Sequence, residues 1–438
     1  MQRAVAALLS QALPNGGRVA VAVSGGRDSI ALLDAAAHVA RNAGVDLVAF
    51  HVHHGLSTNA EGWAQFCAKA CADRGIPFAR RDVTVVRRPR ASVEATARDA
   101  RYAALADLAR EHRVDAVMLA HHADDQAETV LLQLLRGAGP RGLAAMPTIA
   151  SDRGVVWLRP FLDIARATLD AYVGAHALAY VDDESNADPR FRRNALRESV
   201  VPALRAIAPG YPATLVRAAR LQAENAALAD ALAALDARSA CDGASLARSA
   251  LRDLDLSRAR NVLRWFLREQ KLPAPSASCL AEMLSQLTDS ADDARVELAH
   301  DGAVLGVHRG RIVVHRPVAS PYLHEWSGTQ EVALPHGTLA FAPATGIGIA
   351  TRHLAAARVT IRAGRPGERL RIAGRSRRAV TDLLREAGIP AWDRVAMPRI
   401  YCGESLAAVA CAGVDAAFGA APGEPSFTLD WRPQPRER

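Results

Sequence analysis

A glycine pair between two apolar segments constrains the fold of this chain more than any other feature. Val19–Val23 is a valine-rich run typical of a buried parallel strand, and Ile30–Ala40 repeats Leu and Ala at helical spacing. Between them lies the hexapeptide Ser24-Gly25-Gly26-Arg27-Asp28-Ser29. A strand, a glycine turn and a helix together aim backbone N–H groups and the helix dipole at an anion. The segment therefore predicts a phosphate-binding loop, and a plain glycine turn is the alternative.

The loop differs from the Walker phosphate loop, which needs a lysine after its last glycine. The sequence contains only Lys69 and Lys271, and neither follows a glycine-rich turn. Asp28 lies among the phosphate donors, where a carboxylate repels phosphate unless a cation lies between them. Ser-Gly-Gly-x-Asp-Ser resembles the PP-loop of the N-type ATP pyrophosphatases, which cleave ATP to AMP and pyrophosphate with Mg²⁺. The resemblance implies that Asp28 holds the magnesium ion and that the rest of the loop holds phosphate.

The composition is that of a globular protein with more than one domain. Half of the 438 residues are apolar and 23% are charged, and at about 150 residues per domain two or three domains are expected. No apolar run reaches the roughly 18 residues of a membrane span, so we expect no membrane partner. The six cysteines form no C-x-x-C pair, which favours a reducing, cytoplasmic location and argues against a structural zinc site.

The order of the apolar patterns predicts an α/β protein with three domains. Over residues 1–208, apolar runs alternate with helical patterns, which indicates a parallel sheet with right-handed crossovers. Residues 213–318 predict a helical middle domain with a small β element, whose strands turn at Asp301-Gly302 and Arg309-Gly310. A Pro- and Gly-rich stretch follows, and residues 355–435 predict a small mixed α/β domain.

The positive charge is concentrated near the C-terminus. The formal net charge is +8, and residues 358–399 contain eleven arginines against four carboxylates. Such a patch is typical of a surface that binds nucleic-acid phosphates, and a solvated charged face is the alternative. Because arginine replaces lysine throughout the chain, no single arginine carries much weight.

Two further loops with polar residues follow predicted strands. "HVHHGLS" follows the predicted strand Asp46–His53, and "HHADDQAET" follows the predicted strand Ala116–Ala120. Ligands of open α/β sheets bind beyond the carboxyl ends of the strands, so these loops and the glycine loop are expected to converge. His53 and His54 are expected to face a nucleotide there, with simple packing as the alternative.

Asp125 and Glu128 are three residues apart and are expected to share a helical face near His121 and His122. Two carboxylates beside a nucleotide can hold Mg²⁺, or they can bind and deprotonate an amine. Acids that merely favour a helix N-terminus are the alternative. Adjacent histidines are not spaced for tetrahedral zinc ligation.

Two predicted helices carry arginines one turn apart. In "EATARDARYAAL", Glu94, Arg98, Arg101 and Tyr102 recur at three- and four-residue steps, for which surface ion pairing is the simplest interpretation. In "RRNALRESV", Arg193 and Arg197 share a face, where they can clamp a phosphate or form a solvated surface.

Together these segments resemble one family, the tRNA(Ile)-lysidine synthetases. The resemblance lies in "SGGRDS", "HVHHGLS", "ARDARY", "LAHHADDQAETVLLQLLRGAGPRGLAAM", "VDDESNADPRFRRNALR" and "RPGERLRIAGRSRRAVTDLLREAGIPAWDR", and it covers nearly the whole chain. The most specific part is "HHADDQAET" followed by "RGAGPRGLAAM" and "DDESN". One departure is Ser57, where the family commonly has arginine, and it puts one basic contact in doubt.

The resemblance implies a two-step reaction on RNA. The wobble cytidine of a CAU-anticodon tRNA(Ile) is adenylated by ATP at the oxygen on carbon-2, and pyrophosphate is released. The amine of free L-lysine then displaces AMP, which changes the codon specificity from AUG to AUA. The implied cofactors are ATP and Mg²⁺, and the implied partners are the tRNA and lysine. The sequence leaves the oligomeric state open, with a homodimer as one option.

The candidate residues form three groups. We expect ATP to contact Ser24, Gly25, Gly26, Arg27, Asp28, Ser29, His53 and His121. We expect tRNA to contact Arg193, Arg197, Arg375, Arg377 and Arg378. Our hypothesis for catalysis is that Asp28 acts through magnesium and ATP, while lysine and the activated base are held by Asp125, Glu128 and Arg101.

Three other functions compete with this one. A tRNA 2-thiolase that carries sulfur through paired cysteines or an iron–sulfur cluster needs a C-x-x-C or its equivalent, which the sequence lacks. A glutamine-dependent amidotransferase is disfavoured because residue 2 is Gln rather than a nucleophilic Cys. A nucleotide-sensing or RNA-binding protein without chemistry would be favoured by degenerate loop acids, but Asp28, Asp125 and Glu128 are intact.

Overall fold

The computed structural model describes residues 1–14, 16–53, 59–84, 93–182, 192–290, 296–316, 321–365 and 367–434. His54, Ser57 and most of the "DDESN" segment (residues 183–191) lie outside these ranges, so the predictions made for them stay predictions. The chain divides into two compact units, Met1–Leu228 and Ala229–Arg438. No helix among the described residues is both long enough and apolar enough to cross a membrane.

A mostly parallel sheet forms the centre of the first unit. Its described strands are β1 (Arg18–Ala22), β2 (Asp46–His53), β3 (Phe78–Asp82), β4 (Ala116–Met118), β5 (Ile149–Asp152) and β6 (Val155–Leu158). They pair in the order β3-β2-β1-β4-β6-β5, and every pair is parallel except β5 with β6. The predicted parallel sheet is confirmed.

β1 is apolar on both sides, so both faces of the sheet must be covered, and helices cover them. Val19 and Val21 pack in one hydrophobic cluster with Leu32, whereas Ala20 packs in the opposite cluster with Leu105. The described helices of this unit are α1 (Gln2–Ala12), α2 (Arg27–Ala43), α3 (Ala60–Ala72), α4 (Val93–Glu111), α5 (Ala123–Leu134), α6 (Pro140–Leu143), α7 (Arg166–Ala175), α8 (Arg192–Ala195) and α9 (Val201–Ile207). A further helix, α10 (Tyr211–Ala237), begins in this unit and ends in the second. A π-helical turn, Leu196–Val200, joins α8 to α9.

The second unit begins with helices and a small antiparallel sheet. The elements are β7 (Ser245–Ala247), α11 (Arg248–Arg252), α12 (Leu256–Glu269), α13 (Ala277–Asp289), β8 (Glu297–His300), β9 (Ala303–His308) and β10 (Arg311–His315). The sheet order is β7-β10-β9-β8. Asp301 and Arg309 have φ values of 48° and 49°, and each precedes a glycine of positive φ. The two predicted hairpin turns are therefore confirmed.

The C-terminal part of this unit contains more strand than the sequence predicted. Its described elements are β11 (Leu323–Glu325), β12 (Glu331–Leu334), β13 (Gly337–Thr345), β14 (Ile349–Ala350), α14 (Thr351–Ala356), β15 (Val359–Arg362), β16 (Arg369–Leu370), β17 (Arg378–Ala379), α15 (Val380–Glu386), β18 (Arg399–Cys402), β19 (Ser405–Val409), β20 (Gly413–Val414) and β21 (Pro425–Pro433). The predicted mixed α/β domain is thus mostly sheet. β13 falls in the Pro- and Gly-rich stretch, and its partner β21 lies far along the chain, where a local pattern cannot reveal the pairing.

The two parts of the second unit contact each other through Trp392. Its indole stacks on the His315 ring at a centroid distance of 4.3 Å. Gly306 makes room for it, since a Cβ there would lie 2.3 Å from the indole. His308 Nε2 also lies 3.0 Å from the Gly388 carbonyl oxygen. These contacts join the β9–β10 hairpin to the segment after α15.

Candidate active site

The glycine loop has the backbone geometry of an anion cradle. Gly25 has φ +88°, and Gly26 in extended conformation is the N-cap of α2. The Ser29 hydroxyl donates to the Gly26 carbonyl oxygen at 2.8 Å and accepts from the Ser24 backbone N–H at 3.2 Å. The loop is thus closed on itself, with Asp28 in the first turn of α2. This arrangement leaves the N-terminal N–H groups of α2 available to a phosphate.

Only one of the two glycines is required by the fold. A Cβ on Gly25 would lie 2.8 Å from Val181 Cγ2 and 3.2 Å from Cys67 Sγ, whereas a Cβ on Gly26 would lie 3.6 Å from Ser24 Oγ. We expect Gly25→Ala to lower the free energy of unfolding by about 1–3 kcal/mol, because it adds both strain and a clash. Gly26→Ala is the matched control and should change it by less than about 0.5 kcal/mol. Equal losses in chemical denaturation would contradict this account.

His122 connects the loop aspartate to α5. Its Nε2 lies 3.6 Å from Asp28 Oδ2 and 3.5 Å from Asp125 Oδ2. His122 is also the N-cap of α5, with Asp125 Oδ2 accepting from the His122 backbone N–H at 3.1 Å. The convergence of the glycine loop and the "HHADD" segment at one sheet edge is therefore confirmed.

Charge balance keeps Asp28 and Asp125 ionised. Burial raises the pKa of Asp28, but His122 and Arg27 outweigh it, so that the pKa lies below its usual value. Burial likewise raises the pKa of Asp125, and His122 and Arg193 reverse the shift. His122 shows the complementary effect: burial lowers its pKa, but the carboxylates around it raise the pKa overall. The two carboxylates and the imidazole thus stabilise one another's charged forms.

Glu128 is held by two arginines. Arg197 Nε lies 2.6 Å from Glu128 Oε1, and Arg193 Nε lies 2.9 Å from Glu128 Oε2. Arg197 also donates to Asp125 Oδ1 at 3.2 Å. Burial raises the pKa of Glu128 above its usual value although both arginines oppose the shift. Glu128 is thus a better proton acceptor than an exposed glutamate. Arg197 contacts both Asp125 and Glu128 and so links the two carboxylates.

A cavity of about 510 Å³ opens beside Glu128. Its polar lining comes from four elements and the π-helical turn, and consists of Asp124, Glu128, Arg166, Arg197, Arg205 and Tyr211. Its apolar lining consists of Val201, Pro202 and Ala206. Carboxylates at one side, arginines around them and an apolar wall suit a long zwitterionic molecule with an extra cationic group.

Most of the residues that line this cavity were not predicted from the sequence. Asp124 was assigned no role, yet it is one turn from Glu128 and accepts from the Arg166 backbone N–H at 3.0 Å. Arg205 lies at the end of the predicted first domain, 1–208, and Tyr211 lies between that domain and the next, 213–318, and neither was predicted as a site residue. The signal that could have found them is the chain order, since α9 directly follows the paired arginines.

Two further residues that were predicted to contact ATP, His53 and His121, differ in the charged groups around them. His53 lies at the end of β2, where its ring nitrogens are 3.8 Å from Asp82 and 3.9 Å from Glu61. His121 is surrounded by protein, and burial, helped by Arg101 and opposed by Asp125, lowers its pKa to about 3. His121 is therefore neutral, whereas His53 lies between two acids.

Arg101 forms no ion pair with Asp125 or Glu128. Its guanidinium lies 5.8 Å from the centre of the Tyr102 ring. Arg98 lies 5.6 Å from the same ring, and no described carboxylate forms an ion pair with either arginine. The side chain of Glu94, the acid of this predicted face, lies outside the part of the chain that the structure describes, so surface ion pairing stays a prediction.

The predicted C-terminal arginines differ in their partners. Arg375 and Arg378 both contact the Glu386 carboxylate at the end of α15. Arg377 is exposed, and its guanidinium pairs with no carboxylate of the described chain. Arg377 is thus the member of the three whose charge is most available to a ligand.

Family models match three segments of the chain. A PP-loop domain matches residues 1–204, a TilS substrate binding domain matches residues 246–313, and a TilS substrate C-terminal domain matches residues 359–431. Among solved structures, the U34-tRNA thiolase NcsA from Methanococcus maripaludis with its [4Fe-4S] cluster is similar at a TM-score of 0.44 and 20% identity, over 50% of this chain and 78% of that one.

Curated relatives match the chain almost from end to end. The tRNA(Ile)-lysidine synthase of Azoarcus sp. (strain BH72) is 39% identical over 97% of this chain and 94% of its own length. That of Ralstonia nicotianae is 42% identical over 91% and 89%, and that of Burkholderia pseudomallei is 39% identical over 96% and 94%. With a PP-loop, a paired-carboxylate site and this likeness along its whole length, the chain belongs to the tRNA(Ile)-lysidine synthase family.

Proposed function

We propose that the protein ligates L-lysine to carbon-2 of the wobble cytidine of tRNA(Ile) with a CAU anticodon, at the expense of ATP. The observation that carries the proposal is the single site in which His122 lies within 3.6 Å of both Asp28 and Asp125. A phosphate loop and an amine-binding carboxylate site thereby adjoin each other. An enzyme that adenylates a base and then lets an amine displace AMP from that base needs the two sites side by side.

In the first step, the glycine loop holds the ATP phosphates and the cytidine oxygen attacks the α-phosphorus. The bond to the β-phosphate oxygen breaks, and pyrophosphate leaves. The N–H groups at the start of α2 and the Ser24 and Ser29 hydroxyls stabilise the charge of the leaving group. Arg27 is anchored by Asp170 at 2.6 Å, so its guanidinium is held beside the loop.

Asp28 fits the magnesium ion that we propose for this step. Its pKa is held below the usual value, so it is ionised at neutral pH, and it lies in the first turn of a phosphate-binding helix. Mg²⁺ in such sites is commonly bound by one or two carboxylates together with substrate phosphates. When bound, the ion would neutralise charge on the phosphates.

In the second step, the lysine amine displaces AMP from carbon-2. The cavity beside Glu128 supports lysine as the amine donor, since Glu128 can bind the side-chain ammonium and accept its proton. Arg166 and Arg205 are suited to the α-carboxylate, and the wall of Val201, Pro202 and Ala206 is suited to the methylene chain. Asp125 supports the ammonium from the loop side.

Several finer points belong to the same proposal. The catalytic domain would span 1–208, the middle tRNA-binding domain 213–318 and the basic C-terminal domain 355–435. Arg193 and Arg197 would contact tRNA as well as Glu128. A cytoplasmic location and a homodimer are further parts of the proposal.

A charge substitution tests the C-terminal contact with tRNA. Deleting residues from 355 onward would remove β21, which pairs with β13 along its whole length, so a point variant is cleaner. We expect Arg377→Gln to weaken tRNA binding and to reduce the salt slope of log K by about 1. Arg385→Gln is the control, because it removes the same charge from an arginine that pairs with Asp382. Equal slopes for both variants and wild type would show that Arg377 contacts no phosphate.

Pyrophosphate release tests the proposed function as a whole. We expect release from ATP to require the CAU-anticodon tRNA and to proceed without lysine, while AMP release requires lysine. Pyrophosphate release that needs no RNA would contradict the proposal.

A further inference from the structure

Three arginines around Tyr102 form no ion pair with any acid whose side chain the structure describes. They are Arg98 and Arg101 on α4 and Arg159 just after β6, and we call them the arginine cluster. No described acid pairs with any of them. Two other arginines of the same region are paired: Arg81 with Glu111 and Arg110 with Asp107. Arg159 is buried and Arg98 and Arg101 are half-buried, and charged groups in such places normally have a partner.

The cluster surrounds Tyr102. The guanidinium carbons of Arg98 and Arg101 lie 5.6 and 5.8 Å from the Tyr102 ring centre, and Trp157 backs the ring at 4.9 Å. Arg159 is only 6% exposed. Burial raises the pKa of the Tyr102 phenol, but Arg159, Arg98 and Arg101 outweigh it and lower the pKa. The phenol thus reports a strongly positive local field.

Several polar atoms of this region have no hydrogen-bond partner among the described residues. They are Arg101 Nε, His121 Nδ1 and Arg159 Nε, and all are enclosed by protein, whereas the Tyr102 hydroxyl interacts with Arg159. Arg159 uses another nitrogen, which donates to the Pro147 carbonyl oxygen at 2.8 Å. Buried polar groups are normally satisfied, so a group of unsatisfied donors indicates a missing acceptor. The positive field means that this acceptor is an anion.

The position of the cluster distinguishes it from the ATP loop. Asp125 acts on both Arg101 and His121, and it acts on His122 together with Asp28, whereas Asp28 is not among the groups that act on Arg101 or His121. The cluster therefore adjoins Asp125, and the glycine loop lies beyond His122. β4 and β6 are parallel neighbours, so His121 and Arg159, which follow them, lie at the same sheet edge as the loop.

We propose that the arginine cluster binds a backbone phosphodiester of the RNA next to the reacting nucleotide. This inference rests on the proposed function, and it assigns the residues that hold the reacting nucleotide in position. A phosphodiester has two charged or acceptor oxygens, which suit several guanidinium groups at once. Phosphate contacts of this kind fix the position of the strand, and the base itself is read elsewhere.

The test combines a protein variant with a modified RNA. Arg98 is chosen because it forms no hydrogen bond or ion pair with the residues that the structure describes, so Arg98→Gln is expected to fold. The substrate is an anticodon stem–loop RNA in which a neutral methylphosphonate replaces the linkage on the 5′ or the 3′ side of the reacting cytidine. We expect Arg98→Gln to raise the KM for the unmodified RNA about tenfold. Arg110→Gln on the same helix is the control and should leave it unchanged.

The two changes should not add if they remove the same contact. One of the methylphosphonates should raise the KM for wild-type protein about tenfold and have little further effect on Arg98→Gln. A full penalty in the variant would overturn the proposal. So would a change in the KM for ATP or in inhibition by free pyrophosphate, because the cluster would then bind nucleotide phosphates. If Arg98→Gln has a lower melting temperature, Arg98→Lys replaces it, with retained charge but a weaker response to the neutral linkage.

Discussion

Asp28→Asn is expected to abolish adenylation while the protein remains folded. Asp28 is the carboxylate of the glycine loop, and its pKa is held below its usual value, so it is ionised wherever the enzyme works. The variant keeps the shape and loses the charge that would hold magnesium. We expect the rate of pyrophosphate release to fall about a thousandfold, which corresponds to the several kcal/mol that a metal contributes to stabilising a phosphoryl transition state.

Asp46→Asn is the matched control for this experiment. Asp46 pairs with Arg18 at the start of β2, at the opposite edge of the sheet from the glycine loop, and is mostly exposed. It should keep the rate of pyrophosphate release within about twofold, since an exposed ion pair contributes little. A folded Asp28→Asn protein with a near-normal rate would contradict the role of Asp28, as would an equal loss in both variants.

Glu128→Gln is expected to separate the two steps of the reaction. Glu128 lines the cavity proposed for lysine, and the variant cannot accept a proton or pair fully with the ammonium. Losing a charged hydrogen-bond partner costs about 1.5–3 kcal/mol, and losing a general base costs a further factor of about 10²–10⁴. We therefore expect lysine transfer to fall at least about a hundredfold while pyrophosphate release falls only a few fold.

Single-turnover kinetics follow both steps in one experiment, with pyrophosphate and labelled lysine measured separately. Glu198→Gln is the control, because Glu198 is exposed on the adjacent π-helical turn and should affect neither step. Equal losses in both steps for Glu128→Gln would assign Glu128 to magnesium instead of lysine.

The pKa shifts add a pH signature to this variant. Burial raises the pKa of Glu128, so acidification protonates it before it protonates Asp28, whose pKa is lowered. In wild-type protein, lysine transfer should therefore decline at a higher pH than pyrophosphate release as the pH falls. Glu128→Gln should remove this difference, because the group that titrates is gone.

The sequence predicted the centre of the site because its chemistry is local. The strand, the glycine turn and α2 are consecutive, and Asp125 and Glu128 lie on one helix, so composition and spacing sufficed. The cavity was not predictable in the same way. Arg205 and Tyr211 reach it from elements that no local pattern connects to α5.

The surroundings of Arg98 and Arg101 could not be predicted from the sequence either. Their helical spacing favoured surface ion pairs, which is the commonest fate of arginines one turn apart. Both guanidinium groups lie near the Tyr102 ring, and Tyr102 packs on Trp157, a neighbour that only the packing of α4 on the sheet supplies. The C-terminal strands were missed for a related reason, since β13 and β21 are brought together only by the fold.

The most direct test of the central claim is to analyse the RNA itself. Wild-type protein is incubated with ATP, Mg²⁺ and a CAU-anticodon tRNA(Ile), with and without labelled L-lysine, and the wobble nucleoside is examined by mass spectrometry. We expect an adenylated cytidine when lysine is absent, and a cytidine that carries one lysine, with AMP released, when lysine is present. An unmodified cytidine under both conditions, or lysine attached to RNA without ATP, would contradict the account.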